Sequence, residues 1–366
     1  MREEVIRHVY VHVPFCTHIC PYCAFVKTKN ALPEMKVFLR ALRREVEAVR
    51  RRLEVVPTTV YWGGGTPTAL SVGQWEEIMA WWPWGGEGIE FTVEANPATV
   101  SARKAELLVR AGVNRLSLGV QSFDPKMLRL LGRTHDREQV KETVEVVREA
   151  GLRNVNLDLM FALPGQSEAL WQQTLEEAVR LGPQHVSCYN LNYEEDTEFL
   201  QRLHRGEFVV DAERERRFFL GMQEMLSGAG FLRDEVSNYA RPGFSCRHNW
   251  AYWEGADYVG VGPGACSTVG GERWRNVGKV GEWAEQVEQC GRGVAEVERL
   301  SERTRGKERV MLGLRTRAGV KIERGEMAMQ AAKLAEEGLA EIQGERLVLT
   351  SKGLLVADSI AELFYD

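Results

Sequence analysis

The sequence predicts an α/β fold with a parallel sheet or barrel, followed by a small α+β module. Three observations predict it. Six short β-rich runs alternate with stretches of helical periodicity up to about residue 210, the pattern of βα units. Polar or glycine-rich groups stand at the same end of all six runs, as expected where strands deliver functional groups at their carboxyl ends. From about Ser301 the order changes to helix, helix, strand pair and terminal helix.

The runs are Val9–Val13, Thr59–Trp62, Ile89–Val93, Arg115–Gly119, Val155–Met160 and His185–Leu191. Between them, Glu34–Leu53, Ser101–Ala111, Asp136–Ala150 and Glu168–Leu181 carry apolar residues at helical spacing. The first run leads into a cysteine loop and the second into "GGGTP", Gly63–Pro67. Glu94 follows the third and Gln121 the fourth; Asp158 lies in the fifth and Asn190 ends the sixth. These positions predict one active face. A helix over Ala212–Leu226 and the aromatic-rich "CRHNWAYWEGADYVGVGPGA" come next. The expected organisation is therefore a barrel over 1–210, an extension over 211–300 and a terminal module over 301–366.

Composition bounds the function. The chain has 366 residues, 44% hydrophobic, with a formal net charge of −5, enough for a sizeable core. Mild acidity excludes a protein built mainly to coat nucleic acid. The terminal module, with eleven basic and eleven acidic residues from Ser301 to Asp366, resembles a winged helix in order but lacks a basic face, so packing or partner contact is its expected role. No run approaches the roughly 18 apolar residues of a membrane span. Acidic residues stand early, and His12 and Pro14 interrupt the first apolar run, unlike a signal peptide. The seven cysteines then read as cytoplasmic thiols.

"CTHICPYC" places Cys16, Cys20 and Cys23 on one short loop. Thiolates are the ligands of iron–sulfur clusters, and three of them leave one iron of a [4Fe–4S] cube open to a small molecule. The alternative is a zinc site completed by His12, His18 or Cys188, although there is no second cysteine knuckle. "GGGTP" lacks the lysine and hydroxyl of a phosphate loop. Its glycines let the backbone approach a ligand such as an amino acid moiety. On that reading, Gly65→Val spares the cluster and weakens the ligand.

CxxxCxxC after the first strand, with Tyr22 before the third cysteine and "GGGTP" after the second, resembles the radical SAM superfamily. "YVHVPFC", "WGGGTPT", "LSLGVQSF", "LGRTHD", "NLDLMFALPGQ" and "HNWAYW…GVGPGA" narrow the resemblance. They point to the group containing oxygen-independent coproporphyrinogen III oxidase and the HemW-type haem chaperones. The resemblance implies a partial (βα)6 TIM-like barrel whose cluster binds S-adenosylmethionine. By motif, Tyr10 and Tyr22 flank that cofactor, and Gly64, Gly65 and Thr66 meet its methionine end. Glu94, Gln121, Arg133 and Asp158 line its ribose, carboxylate and adenine sides. Radical members of the group draw an electron from a donor such as flavodoxin or ferredoxin.

Two departures favour the chaperone branch, in which haem is cargo for an acceptor protein. Oxidases of the group carry a further cysteine where this chain has Phe25, and a long segment before the first strand. His248, in "HNWAYW", matches the motif linked in that branch to haem, with Trp250, Tyr252 and Trp253 as flat apolar neighbours. The competing expectations are an axial imidazole and a histidine holding a loop onto the barrel. The alternative function is coproporphyrinogen oxidation or a related radical methylation or cyclopropanation.

Overall fold

The computed structural model describes residues 5–364. All six expected strands are present, as β1 (Ile6–Val13), β2 (Val55–Gly64), β3 (Glu90–Ala95), β4 (Arg115–Gln121), β5 (Asn154–Phe161) and β6 (His185–Asn190). They run parallel and adjacent in chain order, as successive βα units require.

Three further strands complete a nine-stranded sheet. They are β7 (Leu232–Arg233), β8 (Asn238–Ala240) and β9 (Val259–Val261). β8 and β7 add antiparallel beside β6, and β9 adds parallel beside β1, giving the order β9-β1-β2-β3-β4-β5-β6-β8-β7. The "YVGVG" stretch is thus a strand of the main sheet. Its three residues are too few to show a period in sequence.

Side-chain alternation explains the layering, because successive residues of a strand face opposite sides. On one face Val9, Val11 and Val13, Phe91 and Val93, Leu116 and Leu118, and Val155, Leu157 and Leu159 are buried in a continuous apolar core. Helices Leu32–Arg52, Ala102–Arg110, Arg137–Glu149 and Glu168–Arg180 contribute Phe38, Leu108, Val144 and Leu175 to it. On the other face the same strands carry His8, Tyr10 and His12, Glu90, Thr92 and Glu94, Arg115 and Ser117, and Asn156 and Asp158. The barrel interior is polar.

The terminal module follows the expected order, with helices Glu302–Leu314 and Glu326–Glu336 and a hairpin of Ala340–Gln343 with Arg346–Leu349. Short helices Ser351–Leu354 and Ala357–Glu362 close it. A strand over Val320–Lys321, too brief to announce itself, makes the hairpin a three-stranded sheet. The module is tied to the core by Arg317 N–H donating to Asp234 O at 3.0 Å. The Arg317 guanidinium also pairs with the Asp234 carboxylate at 3.3 Å. No helix among the described residues is long and apolar enough to cross a membrane.

Candidate functional site

The rim at the carboxyl ends of β1 to β5 gathers most of the predicted residues. Cys16 is buried and Cys20 and Cys23 are half-buried, none in a disulfide. Thr66 Oγ1 stands 3.9 Å from Cys16 Sγ, and Arg133 Nη1 stands 3.7 Å from Cys20 Sγ. Burial pushes the Cys16 thiol up to about 11, so a bare thiol there stays protonated near neutrality. A bound metal reverses this by deprotonating its thiols outright. Three sulfurs on one loop, approached by a hydroxyl and a guanidinium, are a donor set that suits an anionic thiolate cluster. Beside the loop lies an open cavity of about 570 Å³ whose lining includes His18, Cys20, Cys23, Lys27 and Arg202.

Two of the residues considered for zinc are engaged elsewhere. His12 Nε2 lies 2.7 Å from Val26 O and Nδ1 lies 3.1 Å from Tyr10 Oη. Cys188 is in the core, 1% exposed.

The glycine loop packs more tightly than a ligand cradle alone requires. Gly64 adopts φ +107°, and a Cβ there would lie 2.5 Å from the His12 ring. At Gly65 a Cβ would lie 2.7 Å from the Pro14 carbonyl carbon, on the strand entering the cysteine loop. Gly65 N–H donates to Val13 O and Thr66 N–H to Phe15 O, both at 2.8 Å. The expectation that Gly65→Val spares the cluster is therefore corrected, because the side chain meets the cluster loop's own backbone first.

Glu94 is not a helix cap. It accepts from Tyr61 Oη at 2.8 Å and from Gly64 N–H at 3.1 Å, while Asn96 caps the following turn. Burial, with Asp158 nearby, pushes its carboxyl up to about 7. Asp158 has its partners within the protein: Ser117 Oγ donates at 3.0 Å and Asn156 Nδ2 at 2.8 Å. Burial nevertheless raises its pKa. Gln121 holds φ +67°, with a register irregularity in β4 just before it. A non-glycine residue in that region is a strained position of the kind found at ligand sites.

Arg133 lies against both the cysteine loop and β4, since its Nη2 donates to Gly119 O. Its buried Nε–H has no partner. Tyr10 stacks on Tyr61 at 6.2 Å. Tyr22 packs on Phe199 at 6.1 Å. The rim thus unites Tyr10, Cys16, Cys20, Tyr22, Cys23, Gly64, Gly65, Thr66, Glu94, Gln121, Arg133 and Asp158. Asn190, at the sixth strand end, instead donates to Glu215 at 3.0 Å.

His248 lies elsewhere. It belongs to helix Arg247–Trp253 and is 1% exposed, beneath the barrel rather than outside it. Its Nδ1 lies 2.7 Å from Thr59 Oγ1 and its Nε2 lies 3.0 Å from Tyr252 Oη. The ring stacks on Tyr61 at 5.1 Å. Glu90 accepts from the Arg247 and His248 backbone N–H groups at 2.9 and 3.0 Å, fastening the helix start to β3. Burial lowers the imidazole pKa to about 3. Neither nitrogen is free for an axial bond in this arrangement. Tyr252 packs edge-on between His248 and Tyr258, and Trp250 lies under Arg317, so these rings are not an open platform.

Sequence reasoning missed Tyr61, Ser117 and Asn156, which position Glu94 and Asp158. The available signal was polar residues at every second position of otherwise apolar strands. It also missed Glu45, whose carboxylate accepts from Gly262 N–H at 2.7 Å, Asn276 Nδ2 at 2.8 Å and Trp283 Nε1 at 3.3 Å. This fixes the "GVGPG" loop to helix Leu32–Arg52.

Comparison with known proteins agrees with the geometry. Residues 10–178 match the radical SAM superfamily and residues 300–356 match the HemN C-terminal domain. The heme chaperone HemW of Lactococcus lactis is 34% identical over 97% of this chain and 96% of its own length. HemW of Bacillus subtilis is 33% identical over 98% and 99%. The structure of coproporphyrinogen III oxidase (HemN) from Escherichia coli, described as a radical SAM enzyme, superposes with a TM-score of 0.85. At 24% identity, over 99% of this chain and 90% of that one, it speaks for the fold. The chain belongs to the HemW haem-chaperone family of the radical SAM superfamily.

Proposed function

We propose that this protein is a cytoplasmic haem chaperone that binds a [4Fe–4S] cluster, S-adenosylmethionine and haem, and delivers haem to an acceptor protein. The observation that carries the reading is near full-length similarity to curated heme chaperones at 33–34% identity, with Phe25 where oxidases of the group carry a further cysteine.

Cys16, Cys20 and Cys23 hold the cluster, which supplies an open iron for the cofactor and a route for one electron. The chain's own work is placement. Thr66 and Arg133 offer hydrogen bonds to the sulfurs. Gly64, Gly65 and Thr66 meet the methionine end of the cofactor. Glu94, held by Tyr61, Asp158, held by Ser117 and Asn156, and the strained Gln121 present oxygen and amide groups to its ribose and adenine. Arg133, with one N–H free, meets a carboxylate, and Tyr10 and Tyr22 flank the cofactor. His248 braces the barrel floor through Thr59 and Tyr252, so other residues would hold haem.

Adding haem to anaerobically reconstituted protein tests the reading. One haem per chain with a saturating visible spectrum, and no protoporphyrinogen from coproporphyrinogen III under reducing conditions with S-adenosylmethionine, is the expected result. Protoporphyrinogen formation overturns it in favour of the oxidase. If His248→Ala abolishes the haem spectrum at an unchanged melting temperature, the axial role returns to His248.

A further inference from the structure

We propose that the cleft between the core and the terminal module is a binding site for a small oxyanion, a phosphate or short carboxylate group. The cleft is about 350 Å³. Helix Ala212–Gly228 and strands β7 and β8 form its core wall, through Gln223, Arg233 and Tyr239, while the hairpin Ala340–Gln343 with Arg346–Leu349 supplies the facing wall.

The core wall carries donors with no acceptor. Tyr239 is fully buried and its hydroxyl makes no hydrogen bond. Gln223 is 8% exposed, and neither its amide oxygen nor its amide nitrogen is bonded. Gln223 lies close enough to the Tyr239 hydroxyl to act on it as a hydrogen-bonding neighbour, but the contact is not a well-formed hydrogen bond. Unpaired buried polar groups are rare because each carries its full desolvation cost.

Arg233 stands opposite Tyr239 in the β7–β8 register. Its one hydrogen bond is from Nη2 to Leu349 O, at 3.3 Å. Among the described residues no carboxylate forms a close ion pair with it, although the Glu235 charge acts on it from nearby. The neighbouring Glu235 is occupied with Ser237 N–H, at 2.8 Å, and with the Asn238 amide. Glu341 lines the mouth of the cleft but is exposed and accepts from Gln343 Nε2 at 3.0 Å. Burial accordingly pulls the guanidinium pKa down.

Water satisfies the hydroxyl and the amide but leaves the guanidinium with only the more distant Glu235 charge, already bonded elsewhere, to balance it. A metal ion is repelled by the same charge. An oxyanion matches all three donors at once: a guanidinium edge, a phenol O–H and an amide N–H. Held there, it touches both the core and the module and stabilises their contact by mass action. This inference concerns a separate site and does not rest on the haem reading.

Thermal melts and calorimetry of the full chain with inorganic phosphate, with acetate and with chloride at matched ionic strength test it. The expected result is a saturable rise in melting temperature with phosphate or acetate beyond that with chloride; whichever is stronger identifies the source. Arg233→Gln is expected to weaken binding by about tenfold or more, and Tyr239→Phe by a few-fold, roughly one charged hydrogen bond. Because Tyr239→Phe keeps the buried ring, it reads the site even if Arg233→Gln folds poorly. Glu341→Gln should tighten binding by removing a competing carboxylate from the mouth of the cleft. An equal shift with chloride, full binding by both core-wall variants, or a Glu341→Gln protein that is destabilised and unresponsive to either anion overturns the proposal. The last outcome would make Glu341 the partner of Arg233 in solution.

Discussion

The two ends of the barrel are made from the same strands and differ in what their polar groups are bonded to. At the rim, Arg133 retains an unbonded N–H, three thiols stand unpaired, and Gln121 is held in a strained conformation. At the floor, His248, Thr59, Glu90 and Tyr252 engage one another, although Thr92 Oγ1 and the Arg115 Nε–H and Nη1 beside them have no partner. The difference therefore lies in which groups are bonded. At the floor the imidazole has both ring nitrogens engaged, whereas at the rim the thiols are in no disulfide. An imidazole among tyrosines and tryptophans can hold the fold even though its residues suggest a cofactor site.

The largest effect is expected at the rim. Replacing Cys16, Cys20 and Cys23 together by serine should take iron from about four per reconstituted chain to none, measured by iron and sulfide assay and by loss of visible absorption. Cys188, Cys246, Cys266 and Cys290 should be dispensable for the cluster. A full cluster in the triple variant would refute the assignment of the rim.

Gly65→Val tests whether the rim is also structural. With its Cβ 2.7 Å from the Pro14 carbonyl carbon, it should cost about 1–3 kcal/mol, as overpacking does, and lower iron content as well. A variant with normal melting and a full cluster but weakened S-adenosylmethionine binding would show that the loop yields and serves the ligand alone.

The floor is tested by His248→Ala, which strips a partner from Tyr252 and one of two from Thr59, whose hydroxyl keeps His8 Nδ1 at 2.9 Å, at about 1–3 kcal/mol for a buried group left unsatisfied. A lower melting temperature with iron content retained is the expected outcome. S-adenosylmethionine affinity should fall modestly, because Tyr61 loses the ring that steadies it against Glu94. An unchanged melt would erase the contrast between the two ends.

The effect on stability at any single pH is spread thinly in the last test, which concerns pH dependence. Burial pushes the Glu45 carboxyl up to about 7 from its ordinary value of 4.5. The folded state therefore holds a proton that the unfolded state has released, and stability falls as pH rises from about 4.5 through 7. Glu45→Gln should remove about one proton's share of that slope, up to roughly 1.4 kcal/mol per pH unit. Chemical denaturation at several pH values measures it, and an unaltered slope would mean that Glu45 remains ionised throughout.

Much of this was legible in the sequence, for definite physical reasons. The six parallel strands were found because each is a run of β-branched or aliphatic residues bounded by helical periods. The rim was found because strand ends in such folds carry the chemistry. His248 was left between two roles because the sequence does not show that a short helix returns under the barrel and bonds its imidazole to Thr59 and Tyr252. Tyr61, Ser117 and Asn156 were missed because they act through other residues: a tyrosine or serine inside a strand looks the same whether or not it braces a carboxylate. Glu45 was the most findable omission, since it sits among Phe38, Leu42 and Val46 on the apolar side of its helix, where an acid needs a partner.

The "GVGPG" loop also sets a clock. Gly262 lies so close to the backbone of His12 that a Cβ would collide with it, and β9 pairs with β1. The neighbour that backs the cysteine loop is therefore encoded about 250 residues downstream of Cys16. At the roughly 5–20 residues per second of synthesis, the first strand waits about 12–50 s for its flank. Through that interval the three thiols emerge on a half-built scaffold. Cluster assembly before β9 has been made would meet a loop with one wall missing, so maturation belongs after that strand has joined β1.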